Sequence, residues 1–266
     1  MSPAPSLTSQ ETLTLSEADI LHILANAQSS DLGLALFGSP TAFICFADAP
    51  LIVRQAALKA HALLGDLVQL CDGEDDDVQI QAAITALSAF GGIIMFSIGR
   101  GYIGNSIVVT KDYITFFMQG IDASEIKLQN NANVDMFKAT SLRRYTRFIG
   151  LSLDGNRANQ TSNVNGFNLE YFSSVLFEHV YTTGCKFYGW YMPGGANRAE
   201  AIVGLNLAGY DNGASDYFID GEDISLFQAR GTVSPYSFDI GANAIKVGLF
   251  NPISDGGPTF LTTRGI

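Results

Sequence analysis

The sequence predicts a mainly β chain that coils as a right-handed, single-stranded parallel β-helix behind a small N-terminal α/β cap. Three observations lead to this prediction. Alanine is concentrated in the first 90 residues, whereas every asparagine except Asn26 lies after residue 100. Short apolar segments bounded by Gly, Asn and Asp fill the second part of the chain. These segments recur about every two dozen residues, a period typical of repeat architectures.

Alanine favours helix, whereas asparagine tolerates left-handed backbone and stabilises turns. The composition therefore divides the chain near residue 92. We predict an N-terminal helical or extended segment over 1–40 and an α/β cap over 41–98 that leads into the first rung. The parallel β-helix is expected over 99–250, followed by a C-terminal tail over 251–266.

The predicted cap contains readable helices and strands. Ser16 and Asp19 mark the start of a first helix. Pro50 begins a second helix, which Gly65 ends. Asp76, with Gln79 as a capping partner, begins a third helix that stops at Gly91. Strands are expected over 42–46, 67–71 and 93–98. Residues 99–101, Gly-Arg-Gly, follow a strand, but no helix follows them, so a nucleotide-binding turn is excluded.

The body of the chain aligns as two interleaved series of strands. The first series is centred on Leu128, Leu151, Leu176, Leu205, Leu226 and Val247. The second is centred on Leu169, Tyr188, Phe218 and Phe238. We expect Leu176 and Leu205 to point into the coil. An antiparallel sandwich is the alternative, but its strands would recur at shorter intervals with hairpin turns.

Charge and composition exclude several functional classes. The 266 residues carry a net charge of −11, and only 15% are charged. A nucleic-acid partner is therefore not expected. The one basic cluster contains Arg143, Arg144 and Arg147, with Lys138 nearby, and is either a solvated loop or a contact with an anion or partner.

Membrane insertion, export and cysteine chemistry are not expected either. No apolar run approaches the length of a membrane helix. The first residues do not resemble a signal peptide. Cys45, Cys71 and Cys185 fit neither a disulfide framework nor a metal site, and are expected to be buried thiols in a reducing compartment.

One segment carries a family resemblance. Residues 71–96, CDGEDDDVQIQAAITALSAFGGIIMF, resemble the opening of pectate-lyase-like β-helix proteins, which include phage tailspikes. The matching residues are Asp72, Gly73, Asp75, Asp76, Ile80, Gln81, Ala82, Ala83, Ile84, Gly91 and Gly92. Segments 42–50, 148–156 and 166–192 resemble the family's preceding strand–helix unit and its rungs. The likeness covers about residues 42–250.

The resemblance implies that the helix after Asp76 covers the open end of the coil. Many family members also have a Pro-x-Gly-x-Tyr turn after the first strand, but residues 97–102, SIGRGY, contain no proline. Enzymes of the family act on acidic or complex polysaccharides. The hydrolases use grouped carboxylates, and the lyases use a basic residue with bound calcium.

A search for catalytic residues finds little. His22, His61 and His179 lie far apart in sequence, so no catalytic triad can be assigned. Asp154 and Glu178 are the best carboxylate pair, because their spacing of about one coil would place them on neighbouring rungs, as in a retaining glycosidase. A turn role for Asp154 and a solvated role for Glu178 are the alternatives. Asp154 and Glu178 are therefore the only candidate catalytic residues that the sequence offers.

Two acidic stretches have ordinary explanations. Capping accounts for the run at 75–77. The stretch at 209–223 is either a solvated loop or a calcium site, and the loop is favoured because the EF-hand spacing is absent. No metal or cofactor is expected.

Aromatic residues gather late in the sequence. Phe187, Phe218 and Phe238 are expected to stack inside the coil. The outward residues that we expect to present flat faces to a sugar ring are Tyr188, Trp190, Tyr191 and Tyr217. A role in the core or at a subunit interface is the alternative for each of them.

The family resemblance and the missing catalytic signature favour a virion component made in the host cytoplasm. It would be a tail spike, tail fibre or capsid-decoration protein that binds host-surface polysaccharide or stabilises the particle. Its expected partners are other virion proteins and two further copies of itself, because the C-terminal end of the coil lacks a cap of its own. A polysaccharide lyase or glycoside hydrolase is the alternative, and a bacterial surface adhesin is the second.

Overall fold

The computed structural model describes residues 41–120 and 123–255, and the backbone of 259–263. The predicted segment 1–40, with the helix after Ser16 and with His22, lies outside the described residues. Within the described part of the chain, neither helix is long and apolar enough to cross a membrane.

The cap follows the predicted order of strand, helix, strand and helix. Helix α1 spans Leu51–Leu64 between Pro50 and Gly65, whose φ of 57° ends it, and a short 3₁₀ turn follows at Gly65–Leu67. Helix α2 spans Asp77–Ala86. Its apolar face, Ile80, Ala83, Ile84 with Leu87, is fully or almost fully buried in the main core. This helix therefore covers the open end of the coil.

The strands form three parallel sheets, one on each side of the coil. Sheet A contains β1 Thr41–Cys45, β2 Val68–Leu70, β3 Gly92–Phe96, β6 Ile114–Phe117, β9 Arg143–Arg144, β10 Arg147–Ile149, β13 Phe172–Glu178, β16 Glu200–Leu205, β19 Glu222–Phe227 and β22 Ile245–Phe250. Sheet B contains β4 Gly99–Ile103, β7 Ser124–Leu128, β11 Ser152–Asp154, β14 Tyr181–Thr183, β17 Ala208–Tyr210, β20 Arg230–Thr232 and β23 Ile253–Asp255. Sheet C contains β5 Ile107–Val108, β8 Phe137–Lys138, β12 Phe167–Asn168, β15 Tyr188–Met192, β18 Ser215–Ile219, β21 Tyr236–Ile240 and β24 Thr259–Thr263.

The chain visits sheets A, B and C in turn, so each coil contributes three strands rather than the two that the sequence predicts. The reason is that two of the three sheets have strands of only two to five residues, too short for periodicity to separate them. The coil also continues beyond residue 250, because β23 pairs with β20 and β24 pairs with β21. The segment predicted as a tail therefore supplies two more strands.

Ladders of stacked aromatic rings form the core. In sheet A, Phe116, Phe148 and Phe177 occupy equivalent positions on successive turns, with ring centroids 5.2 and 5.0 Å apart. All three rings are fully buried. The prediction that Leu176 and Leu205 point into the coil is wrong by one residue. Both leucines are only partly buried, and their neighbours Phe177 and Gly204 face the core.

A column of left-handed residues forms the corner where sheet A begins. Tyr113, Tyr145, Ser174, Ala201, Asp223 and Lys246 all have φ between 53° and 58°. Pairing of the flanking residues places them on successive turns. The rings of Tyr113 and Tyr145 stack at 4.7 Å. Left-handed backbone is unfavourable for residues other than glycine, so each turn of the coil stores a small strain at this corner.

The acidic run at 75–77 acts on the coil rather than on the helix. Asp76 makes no side-chain cap for α2, so the predicted capping pair with Gln79 is wrong. Its carboxylate accepts instead from the backbone N–H of Gly73 and of Tyr102. Asp77 accepts from Gly104 and Asn105 in the same way. These carboxylates satisfy N–H groups at the edge of the first turn, which would otherwise recruit another strand.

Candidate functional site

Asp154 and Glu178, the predicted carboxylate pair, lie in different sheets and do not face each other. Asp154 ends β11 in sheet B, whereas Glu178 ends β13 in sheet A. On the next turn, the neighbour of Asp154 is Thr183, and the neighbour of Glu178 is Leu205. The retaining-glycosidase arrangement expected from their spacing is therefore wrong, because the coil is not of constant length and the two residues lie on different sides of it.

Asp154 already has two partners of its own. Its Oδ2 accepts from Nζ of Lys127 at 2.5 Å, and its Oδ1 accepts from the backbone N–H of Asn156 at 2.7 Å. Asn156 has left-handed backbone, with φ of 50°. The carboxylate thus stabilises the turn after β11 as well as an ion pair across two rungs.

Two of the four predicted sugar-stacking residues lie inside the coil. Trp190 and Tyr217 are completely buried and form a stack with Phe238, with ring centroids 4.7 and 4.9 Å apart. The Tyr217 hydroxyl donates to the carbonyl of Arg230, and burial raises the pKa of Tyr217. The prediction that Trp190 and Tyr217 face outward is wrong.

Tyr188 and Tyr191 lie outside the main core and stack on Phe218, at 4.9 and 5.4 Å. Phe187 packs on Tyr188 at 4.0 Å. Phe187 and Phe218 therefore belong to this outer group and not to the predicted internal stack. Tyr188 is only 4% exposed, which leaves its ring little free face for a sugar.

A different surface, the outer side of sheet B, carries mostly polar side chains in two straight columns. We call it the charged face. Successive residues of a strand point to opposite sides of a sheet, and the turns lie about 4.8 Å apart. The first column is Arg100, Glu125, Ser152, Tyr181, Ala208, Arg230 and Ile253. The second column is Tyr102, Lys127, Asp154, Thr183, Tyr210, Thr232 and Asp255.

Ion pairs link turns of the coil along this face; three of those named here join neighbouring turns, and Arg157–Asp211 joins turns that are two apart. They are Arg100–Glu125 at 2.5 Å, Lys127–Asp154 at 2.5 Å, Arg157–Asp211 at 2.9 Å and Arg230–Asp255 at 3.3 Å. Arg157 and Asp211 lie at the corner that follows the sheet B strands. The side chains of Lys127 and Asp154 are only 28% and 18% exposed, so salt screens this pair less than a fully exposed one.

Tyrosines complete the charged face. Tyr210 is 43% exposed. Burial raises the pKa of Tyr181, and the neighbouring Tyr210 and Asp154 add to the rise. Tyr181 therefore keeps its proton at neutral pH, so it can donate a hydrogen bond or a proton but is a poor base.

An open cleft of about 400 Å³ lies at the cap end of the charged face. It is lined by Glu74, Asp75, Tyr102, Lys127, Leu128, Gln129, Asn130 and Asn156. The amide of Asn156 donates to the carbonyl of Leu128 and to Oδ1 of Asn130, which fixes the rim. The cleft offers hydroxyl, amide, ammonium and carboxylate groups, which is the inventory that binds sugar hydroxyls.

A buried carboxylate, Asp216 of β18 in sheet C, packs against the inner side of sheet B. Asp216 is completely buried, and its oxygens accept from Asn212 at 2.7 Å, Ser234 at 2.5 Å and the backbone of Thr232 at 3.0 Å. A Cβ at Gly209 or Gly231 would come within 2.4 to 2.7 Å of Asp216 or Ser237. Asp216 therefore fits only because two paired residues of sheet B are glycines without a side chain. Burial raises the pKa of Asp216 to about 7.

The residues of the charged face were not predicted from the sequence. The pattern Ser-Glu-Ile-Lys-Leu at 124–128 alternates polar and apolar residues and could have placed Glu125 and Lys127 outside. The later strands of sheet B have only three residues each, so they carry no comparable signal. Among the described residues no group of three or more His, Cys, Asp or Glu side chains could hold a metal ion.

Comparison with known proteins bears on the fold. Two solved structures, the A-modules of the mannuronan C-5 epimerases AlgE4 and AlgE6 of Azotobacter vinelandii, superpose with TM-scores of 0.61 and 0.59. The chain is a parallel β-helix. Both modules are 21% identical to it over 70% of its length, and it spans about half of theirs, 55% and 54%. This similarity shows the fold alone.

A third structure, ORF18 of Geobacillus virus E2, has a TM-score of 0.41 and 12% identity, over 71% of this chain and 58% of that one. No protein-family model and no curated protein match the sequence.

Proposed function

We propose that the chain is a structural or host-recognition component of a virus particle and that its charged face binds a surface polysaccharide. The observation that carries the binding proposal is the arrangement of the two outer columns of sheet B. Rigid strands hold hydroxyl, carboxylate and ammonium groups at regular spacing, and sites built on strands are better ordered than sites on loops. Sugar hydroxyls both donate and accept, so they suit such a mixed surface.

The fold is compatible with this use. The two epimerase modules with the same fold are named for a polysaccharide, mannuronan. The family resemblance of residues 71–96 supports the virion role. Deletion of the gene from its genome tests that role. We expect particles that fail to assemble or to adsorb, and normal assembly and adsorption would contradict it.

The polysaccharide proposal is tested separately on the purified chain. Retention by polysaccharides embedded in a gel, measured for the chain and for Tyr210→Ala, reports whether the charged face binds. We expect Tyr210→Ala to lose about two- to tenfold in affinity, because the stacking of an aromatic ring contributes about 0.5–1.5 kcal/mol. Unchanged retention of this variant would contradict the assignment of the face.

We also propose a homotrimer, in which the outer side of sheet A contacts neighbouring subunits. That side carries Leu176, Val203, Leu205, Phe227 and Phe250. Val203, Phe227 and Phe250 are 37%, 38% and 47% exposed, and the two phenylalanines stack at 4.4 Å. Light scattering tests this proposal, because a mass near that of one 28.5 kDa chain at micromolar concentration would contradict it.

A polysaccharide lyase or glycoside hydrolase is the second candidate. The observation that favours it is Lys127 beside Asp154, with Tyr181 and Tyr210 on the next two turns. An ammonium group can neutralise a sugar carboxylate, and a tyrosine can transfer a proton. Release of reducing ends or of unsaturated products from a panel of polysaccharides would support it. Complete inertness would leave the binding proposal.

A further inference from the structure

We propose that the charged face selects uncharged glycans and rejects polyanionic ones, because its own carboxylates already neutralise its cations. The inference deepens the proposed function and rests on it. It names the class of ligand: a neutral polysaccharide, rich in hydroxyl groups, that lies along the coil.

The ion pairs of the face are the first observation. The three cations of the two columns are Arg100, Lys127 and Arg230, and each has a carboxylate partner on an adjacent turn, at 2.5, 2.5 and 3.3 Å. Arg157, at the adjoining corner, pairs with Asp211 at 2.9 Å. An incoming carboxylate would have to displace one of these partners, and the displaced carboxylate would remain beside it.

One of the two shortest pairs, Lys127–Asp154, lies at the cleft. Lys127 lines the cleft, and its partner Asp154 is held by a second hydrogen bond, from the backbone of Asn156. Asp154 therefore cannot swing away without losing a turn contact. This makes Asp154 a built-in counter-ion for Lys127, one that a sugar carboxylate cannot easily replace.

The surrounding charge is the second observation. Glu74 and Asp75 line the same cleft, and the whole chain carries a net charge of −11. A polyanion therefore approaches against the field of the protein, which lowers its association rate and affinity, most strongly at low salt.

A neutral sugar meets none of these obstacles. One hydroxyl can accept from Lys127 while it donates to Asp154, so the ion pair need not open. The exposed ring of Tyr210 and the amide of Asn130 supply further contacts of the kind that uncharged sugars use. The two columns thus offer paired donors and acceptors, and each of their charged side chains has an ion-pair partner.

The experiment compares one polymer in two charge states. Polygalacturonate and its fully methyl-esterified form share a backbone and differ in charge, and dextran with carboxymethyl dextran gives a second matched pair. Binding is measured by affinity electrophoresis at low ionic strength. We expect the neutral member of at least one pair to bind at least about fivefold more tightly than its charged member.

Two carboxylate variants test the mechanism. Asp154→Asn keeps the oxygen that accepts from Asn156 but frees Lys127, and we expect it to bind the charged polymers at least about threefold more tightly than the unaltered chain. Glu178→Gln removes the same charge from sheet A and is the control, for which we expect no such gain.

The outcomes separate the two proposals. Tighter binding of the charged polymers by the unaltered chain, or equal gains in Asp154→Asn and Glu178→Gln, overturns the selectivity while the face still binds glycans. No binding of any polymer by the chain, together with no gain in Asp154→Asn, overturns the glycan-binding function itself.

Discussion

Lys127 and Asp154 occupy equivalent positions on adjacent turns of the coil, and Nζ of Lys127 donates to Oδ2 of Asp154 at 2.5 Å. Both side chains are partly buried. We expect a double-mutant cycle of Lys127→Met and Asp154→Asn to give a coupling free energy of about 0.5–1 kcal/mol, because the pair still borders solvent. Chemical denaturation measures it. A coupling near zero at low salt would mean that the two charges do not interact.

The phase of the core can be tested with two neighbouring residues. Phe177 is fully buried in the sheet A ladder, whereas Leu176 lies on the outer side. We expect Phe177→Ala to lower the free energy of unfolding by about 3–5 kcal/mol. Leu176→Ala should cost less than about 1 kcal/mol in the monomer. Urea unfolding measures both losses. A larger loss in Leu176→Ala than in Phe177→Ala would mean that Leu176 points into the coil, as the sequence predicts.

The helix boundaries and the coil could be predicted from the sequence, but the inward and outward residues of sheet A could not. Pro50 and Gly65 bound α1 as predicted, and the motif after Asp72 correctly leads into a capping helix and a coil. The inward and outward residues of a strand are harder to assign, because left-handed residues such as Ser174 interrupt the alternation inside β13. The strict alternation of 2.0 residues that separates the two sides is lost at each such corner.

The candidate site was harder still to predict. Tyr188 and Trp190 are two residues apart in β15, yet Tyr188 packs outside the main core and Trp190 inside it. The charged face depends on register between turns of unequal length, which brings Lys127 beside Asp154 and then Thr183. No local pattern encodes that register, so only the folded coil brings these residues together.

The raised pKa of Asp216 should make the free energy of unfolding depend on pH. Its pKa is raised to about 7 in the folded chain by burial, against about 3.9 in an unfolded chain. The folded state therefore binds more protons between these values, and stability falls as pH rises from about 4 to about 7. The contribution of Asp216 is fully present below pH 4 and is lost above pH 7.

Thermal or urea unfolding over this range measures the effect, which should amount to a few kcal/mol at most. Asp216→Asn should be less stable at low pH, because the bond to Thr232 is lost, but its stability should change less between pH 4 and pH 7. If the variant and the unaltered chain show the same slope, Asp216 is not the group that titrates.

The left-handed corner of sheet A predicts a stabilising substitution. Ala201 has φ of 53°, a conformation that costs alanine about 1–2 kcal/mol but suits glycine. We expect Ala201→Gly to raise the free energy of unfolding by about 0.5–1 kcal/mol after the entropy cost of glycine is subtracted. Ala208→Gly, in an ordinary strand position of β17, is the matched control and should be destabilising by about the same amount. A loss of stability in both variants would show that the corner is not strained.

The face of the coil that holds the glycan can be identified by comparing two tyrosine variants. Affinity electrophoresis on a neutral polymer, such as methyl-esterified polygalacturonate, compares Tyr210→Ala on sheet B with Tyr191→Ala on sheet C. We expect Tyr210→Ala to bind about two- to tenfold more weakly, because a stacking contribution of about 0.5–1.5 kcal/mol is lost, and Tyr191→Ala to bind like the unaltered chain. Loss of binding in Tyr191→Ala alone would contradict this expectation and would place the glycan on the aromatic group of sheet C.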